Sequence, residues 1–347
     1  MTDSLYLAGS FNGWNPSDEK FRFQPGDSGS FEIKFNLPAG KYEYKITRGS
    51  WDRAECAKGG GRFPNRQLIV DGDREVIIDI EEWQDRLPPV PRKSTAGKQV
   101  QILDTAFNIP QLNRTRRVWV YLPPGYERSG KHYPVLYLHD GQNIFEDTSS
   151  YAGEWGVDEF MDTMSSSPSI VVAIDHGGIT RFSEYSPYDL ERFGQGQGEL
   201  YTDFIVHTLR PYINKRFRTR RSRKNTFIAG SSMGGLISMY ALLKFPRVFG
   251  GAGVFSPSFW AAPRLFEYMD QEGHRVKSRI YFYAGQQEGE TMVPLTLKAL
   301  GEMSRVSRSV MKAVIRQEGS HNEARWREEF PLFYNWIMSE KKFKTRK

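Results

Sequence analysis

The chain has 347 residues, enough for two domains with an ample core. Hydrophobic residues make up 39% and aromatic residues 14%, which excludes a disordered chain, and no apolar run approaches the length of a membrane span. The net charge is +7, and the single cysteine, Cys56, excludes an internal disulfide or a cysteine-rich metal site. The opening Met1-Thr2-Asp3-Ser4 lacks the basic and apolar segments of a signal peptide, so a cytoplasmic protein is expected, although a trimmed secreted form would read the same.

Residues 1–85 read as all-β. Short aromatic or β-branched runs at 5–8, 31–35, 42–47, 67–70 and 76–80 are punctuated by Asn12-Gly13, Pro25-Gly26, Pro38-Ala39-Gly40 and Asp71-Gly72. That spacing predicts a small immunoglobulin-like β-sandwich. Residues 86–98 are proline-rich, then small and polar, and read as a linker. From 99 to 340 strands alternate with helices. Strands are expected at 100–103, 117–121, 135–138, 170–174, 226–229, 251–255, 280–284 and 312–315, with helices at 199–217 and 236–244 among them. The alternation predicts a mainly parallel sheet with helices on both faces. The remaining residues, 341–347, form a basic tail.

Much of the charge is local: residues 215–224 hold seven basic residues and 341–347 hold five. A nucleic-acid or membrane patch is one reading. The other is a solvated connector and tail, and position favours it. The basic run precedes the strand at 226–229, whereas ligand crevices in such sheets lie at the carboxyl ends. Neither a nucleic-acid nor a membrane partner is expected, and the oligomeric state is left open.

Gly230-Ser231-Ser232-Met233-Gly234 sits between an apolar strand and an apolar helix. In that setting G-x-S-x-G is a nucleophile elbow, and Ser232 is the expected nucleophile. Gly230, Gly234 and Gly235 supply the side-chain-free flanks that so tight a turn needs. A glycine-rich turn that binds phosphate, or nothing, is the plain alternative. A serine hydroxyl needs a base, and the base an orienting acid. His274 and His321 are the two histidines beyond Ser232. His321 lies in a glycine-containing loop after the last strand, at its carboxyl end, and is the expected base. His274 precedes the strand at 280–284, on the wrong edge. The acid is expected after that strand, at Glu288 with Glu290 as alternative, although a Ser–His pair without a carboxylate would also serve. Oxyanion stabilisation needs two main-chain N–H groups. Met233 offers one, and Gln142 or Gly141 the other. His139, at a strand end, is read as structural.

At these residues the chain resembles the esterase family of α/β-hydrolases that includes feruloyl and acetyl-xylan esterases, S-formylglutathione hydrolase and enterobactin-type siderophore esterases. The likeness spans roughly residues 100–338. Its markers are residues 137–143, Arg181-Phe182-Ser183-Glu184-Tyr185-Ser186-Pro187, residues 230–235, Ser256-Pro257-Ser258-Phe259-Trp260 and Gly319-Ser320-His321-Asn322. The resemblance implies an acyl-ester hydrolase needing no metal or organic cofactor, with Arg181, Glu184, Tyr185 and Trp260 lining its pocket. Many relatives carry aspartate where Glu288 stands. The first domain resembles the glycogen-binding modules of AMP-activated kinase β subunits and starch-debranching enzymes, through residues 8–14, Tyr44-Lys45-Ile46, Gly49-Ser50-Trp51 and Asn65-Arg66. That likeness places Trp14, Lys45, Trp51 and Asn65 at sugar-contacting positions, where indole faces stack on pyranose rings while lysine and asparagine reach hydroxyls. Packing of the module is the competing role for both tryptophans. Together these readings predict a serine esterase acting on acyl esters of carbohydrates, acetyl or feruloyl. A siderophore trilactone esterase and a carbohydrate-binding protein with an inert hydrolase domain are the alternatives.

Overall fold

The computed structural model describes residues 4–60, 63, 65–87, 93–150, 153–164, 167–191 and 194–339. The chain divides into two compact units, Met1–Arg92 and Lys93–Lys347. Residues 88–92 of the expected linker and the whole basic tail lie outside the described residues. Ser94 and Thr95 bond to Glu146, and the Gly97 N–H donates to Asp158 at 2.6 Å, so this end of the proline-rich stretch packs on the larger unit.

The smaller unit is all-β. Its strands are β1 (Tyr6–Gly9), β2 (Gln24–Pro25), β3 (Phe31–Glu32), β4 (Gly40–Thr47), β5 (Glu55–Cys56), β6 (Arg66–Val70) and β7 (Glu82–Trp83). An antiparallel sheet of order β1-β4-β6 is joined by the pairs β2-β3 and β5-β7. Leu7, Tyr44 and Ile46 form its centre, with Phe11, Phe21 and Phe35 packed around them. The run at 76–80 forms no ladder among the described residues. Its alternation is nevertheless real. Ile78 and Ile80 pack inward while Ile77 is 86% exposed. Period-two patterning reports which side chains face a core, not whether the backbone finds a partner strand.

The larger unit is built on eight strands: β8 (Val100–Ile109), β9 (Arg114–Tyr121), β10 (Val135–His139), β11 (Ile170–Ile174), β12 (Thr226–Ser231), β13 (Gly251–Phe255), β14 (Arg279–Gly285) and β15 (Val310–Arg316). Their order is β15-β14-β13-β12-β10-β11-β9-β8. The strands from β10 to β15 pair in parallel, whereas β8 and β9 run antiparallel at one edge. Among the described residues eight α-helices accompany them: α1 (Val157–Asp162), α2 (Arg181–Glu184), α3 (Gly198–Phe204), α4 (Arg210–Arg216), α5 (Met233–Lys244), α6 (Arg264–Glu272), α7 (Met292–Val306) and α8 (Glu323–Met338).

Alternate residues of each central strand enter different cores. Val135 and Tyr137 pack with α3–α7, while Leu136 and Leu138 pack with α1 and α8. A strand covered on both faces is apolar throughout, which is why residues 135–138 show no polar alternation. The helix expected at 199–217 is α3, a π turn at Ile205–Leu209, and α4. Pro211, just inside α4, has no N–H, and its ring crowds the carbonyl four residues back, so the ladder widens there.

The chain steps from β10 to β11 on one side, then returns past β10 to β12. The crevice at the carboxyl ends of β10 and β12 is therefore a topological switch point, the usual ligand position in such sheets. At the opposite edge the basic run donates largely to backbone carbonyls. Arg218 bonds to Tyr126, Arg220 to His132 at 2.9 Å, Arg221 to Asn214 at 2.9 Å and Arg223 to Lys277 at 2.8 Å.

Phe333 of α8 is fully buried, with its ring 5.3 Å from that of Phe255 and 5.6 Å from that of Tyr281. It covers Gly253, where a Cβ would stand 2.6 Å from the ring. Phe333→Ala is expected to lower unfolding free energy by about 3–5 kcal/mol, read as a lower urea midpoint at unchanged m for the larger unit. A loss below about 1 kcal/mol would show that α8 is not tightly packed on the sheet.

Candidate active site

Ser232 joins β12 to α5 with φ 59° and ψ −122°, a conformation costly for a side-chain-bearing residue. The strain is locked in by backbone contacts. The Ser232 N–H donates to the Phe255 carbonyl at 2.9 Å, and a Cβ on Gly235 would lie 2.7 Å from that same oxygen. Gly230 and Gly234 are equally close to the turn, each within 3.2 Å of His139 atoms once a Cβ is added. Met233 opens α5, so its N–H has no acceptor within the helix.

Glu288, in the loop after β14, has no exposed side-chain surface. One oxygen accepts from the Gly285 N–H at 2.6 Å and the Ser256 hydroxyl at 2.9 Å. The other meets His321 Nδ1 at 2.7 Å. Glu290 is exposed. The acid and histidine loops touch backbone to backbone: the Gln287 N–H donates to the Gly319 carbonyl at 2.9 Å, and a Cβ on Gly285 would overlap that carbonyl at 2.1 Å. His274 is on the surface, bonded to the Gln271 carbonyl ahead of β14.

The segment Ser256-Pro257-Ser258 spans the site, and composition alone gave it no role. Buried Ser256, at φ 43°, donates to Glu288 and accepts from Trp326 Nε1 at 3.0 Å. Trp326 in turn sets the edge of its ring against His321, with centroids 5.1 Å apart at 85°. Ser258 Oγ lies 3.1 Å from Ser232 Oγ. The Ser232 hydroxyl thus makes its hydrogen bond to Ser258, and a Ser232–His321 bond is not formed among the described residues. Catalytic serine–histidine contacts in unliganded enzymes are often loose and tighten with substrate.

The turn Gly141–Asn143 follows β10 through Asp140, at φ 56°. Gly141 is pressed on the end of β11, where a Cβ would stand 2.8 Å from the Ile174 carbonyl carbon. The Gln142 side-chain oxygen accepts from the His176 N–H at 3.2 Å. His139 is buried against the Tyr201 hydroxyl at 3.0 Å, and burial pushes its pKa down to about 4, so it is a neutral structural imidazole at pH 7.

The segment 181–185 departs from expectation. Arg181 makes a two-pronged pair with Asp140, at 2.6 and 2.8 Å. Glu184 is 0% exposed and paired with Arg114 and Arg116 of β9. Tyr185 is also fully enclosed, with its ring 5.2 Å from the Arg181 guanidinium. Glu184 and Tyr185 therefore present no surface to a substrate, because the motif is spent on ion pairs that brace the crevice. Trp260, by contrast, is 53% exposed. In the smaller unit the Trp14 and Trp51 rings lie 6.3 Å apart, Lys45 donates to the Phe63 carbonyl, and Asn65 donates to Glu43 at 3.2 Å. No group of acidic, histidine or cysteine side chains among the described residues is arranged to hold a metal.

This architecture and the elbow define an α/β-hydrolase. The chain belongs to the esterase family, whose model, described as "Putative esterase", matches residues 109–334, and a Pullulanase X25 domain model matches residues 5–82. The uncharacterized protein YbbA of Bacillus subtilis is 28% identical over 204 residues, 56% of this chain and 78% of its own. An endo-1,4-beta-xylanase/feruloyl esterase of Xylanibacter ruminicola is 30% identical over 173 residues, 48% of this chain but 22% of that longer protein. The enterochelin esterase of Shigella flexneri shares the fold, with a TM-score of 0.53 over 96% of this chain and 86% of that one at 18% identity. The protein is an esterase-type hydrolase carrying a carbohydrate-binding-like module.

Burial alone would raise the Asp140 carboxyl, but the Arg181 charge and its hydrogen bonds outweigh it and hold the pKa below the usual range. A depressed carboxylate contributes stability above its unfolded pKa of about 3.9 and loses it as pH falls through the folded value. Asp140→Asn keeps the shape and tolerates the left-handed backbone, yet strands a largely buried guanidinium. The expected loss at pH 7 is about 3–5 kcal/mol, and it shrinks as pH falls through the lowered folded value. A loss that did not change with pH would contradict an ionic origin.

Proposed function

We propose that the protein is a serine carboxylesterase with Ser232, His321 and Glu288 as its triad. The observation that carries this is the buried Glu288 side chain bonded to His321 Nδ1 at 2.7 Å, in a loop zipped to the histidine loop and bonded to Ser256, two residues from the Ser258 that holds the strained elbow serine. In this reading Ser232 Oγ attacks the ester carbonyl while its proton passes to His321 Nε2. The Met233 N–H, with that of Gln142 or Gly141, holds the tetrahedral oxyanion. His321 then gives the proton to the leaving alkoxide oxygen, and the C–O bond breaks to leave an acyl-serine. Water repeats the sequence, with His321 as base and then acid, and releases the carboxylic acid. Glu288 keeps Nδ1 protonated and stabilises the imidazolium.

Acetyl or feruloyl esters of carbohydrates are the proposed substrates. The X25 match, the feruloyl esterase relative and the exposed Trp260 at the carboxyl edge of the sheet support this. Arg181, only partly enclosed, and Trp260 are the pocket-lining candidates that retain accessible surface. Trp14, Trp51, Lys45 and Asn65 are proposed as the glycan contacts of the module. A second reading, hydrolysis of a siderophore trilactone, is favoured by the likeness to an enterochelin esterase along nearly the whole chain. Parallel assays on feruloylated oligosaccharide and ferric enterobactin separate the two.

Ser232→Ala is expected to abolish p-nitrophenyl ester cleavage and fluorophosphonate labelling without unfolding the protein. Glu288→Ala should lower kcat by roughly 10³–10⁴-fold. Wild-type turnover by the Ser232 variant would remove the assignment, and a wild-type protein that takes no label would favour an inert domain.

A further inference from the structure

Glu323 is a buried carboxyl that the mechanism above does not use. It is the first residue of α8, two positions after His321, and is 8% exposed. Its Oε1 accepts from Asn143 Nδ2 at 3.2 Å, a contact between residues 180 positions apart. Asn143 is 9% exposed and ends the turn Gly141–Asn143. The backbone N–H of Glu323 itself is a further donor to the carboxyl. Burial pushes the Glu323 pKa up to about 7, with its own backbone N–H, His321 and Arg181 opposing the rise and Asp140 adding to it. The carboxyl is therefore enclosed among the candidate base and the groups that brace the oxyanion turn.

The span of this contact is informative. In the sheet β10 and β15 are four strand spacings apart, with β12, β13 and β14 between them. At about 4.8 Å per strand that is roughly 19 Å. Ser232, Ser256 and Glu288 follow the three intervening strands. The Asn143–Glu323 bond joins the segments that flank them, tying the loop after β10 to the helix after β15. An enclosed carboxyl is costly to keep, and an apolar side chain of similar size would be cheaper.

We propose that Glu323 is a positioning residue, and that its bond to Asn143 is a latch fixing the oxyanion turn relative to the His321 loop. This rests on the triad reading above. Displacing either flank by about an ångström separates oxyanion donors from base, and such misplacement costs on the order of 10²-fold in rate.

The test uses two near-isosteric changes in the full chain with a p-nitrophenyl ester. Asn143→Leu removes the donor at near-constant size, and is expected to lower kcat by about 10–100-fold with KM within about twofold. The pair Asn143→Asp with Glu323→Gln reverses the polarity of the bond and keeps it, an amide N–H now meeting a carboxylate. The reversed pair should retain at least about tenfold more kcat than Asn143→Leu. An Asn143→Leu kcat within twofold of wild type, a loss confined to KM, or a reversed pair no better than Asn143→Leu would each overturn the latch. Ser232→Ala run alongside separates the two failures. If it is inactive while Asn143→Leu is unimpaired, only the latch falls, and if it is active the triad reading falls first.

Discussion

A carboxylate with no exposed side-chain surface is tolerated only if its charge is met on every side. Glu288 meets that demand with a backbone N–H, a serine hydroxyl and an imidazole. Each donor comes from a different segment: the end of β14, the Ser256 turn after β13, and the loop after β15. Satisfying this one group therefore fixes three loops at once. The same Ser256 hydroxyl accepts from Trp326, and Ser258 two residues on holds the elbow serine. The proposed centre is thus organised from Glu288 outward.

A second charged pair organises the other half of the crevice. Asp140 and Arg181 lock the start of the Gly141–Asn143 turn to α2, and Glu184 anchors that helix to two arginines of β9. The antiparallel edge of the sheet is linked in this way to the turn proposed to hold the oxyanion. Strain at Ser232, Ser256 and Asp140, all at positive φ, is concentrated at the carboxyl ends of β12, β13 and β10. Strand ends that must turn abruptly are where strain can be held by surrounding contacts and put to use.

Much of this was legible in the sequence, for identifiable reasons. The central strands are apolar on both faces, so the runs at 170–174 and 251–255 coincide with β11 and β13. The elbow could be read because its glycines are required sterically. Glu288 was expected in the loop after β14 because an orienting acid follows a strand, and the structure pairs it with His321. Ser256 and Trp326 could not be assigned roles, since their function depends on χ angles and on a contact 70 residues apart. Glu184 and Tyr185 were expected at the pocket because they belong to a motif shared with esterases, yet nothing in a motif distinguishes a wall from a brace. The lack of a strand ladder at 76–80 among the described residues was equally invisible, since inward Ile78 and Ile80 give the same pattern with or without a neighbouring strand.

Covalent catalysis at the elbow is the central claim, and trapping the intermediate tests it most directly. Protein quenched in acid during turnover of a slowly deacylating ester would be digested and its peptides weighed. The account predicts a mass increase equal to the acyl group on the peptide containing Ser232 and on no other. An unmodified Ser232 peptide during active turnover, or an acyl group on a different residue, would contradict it.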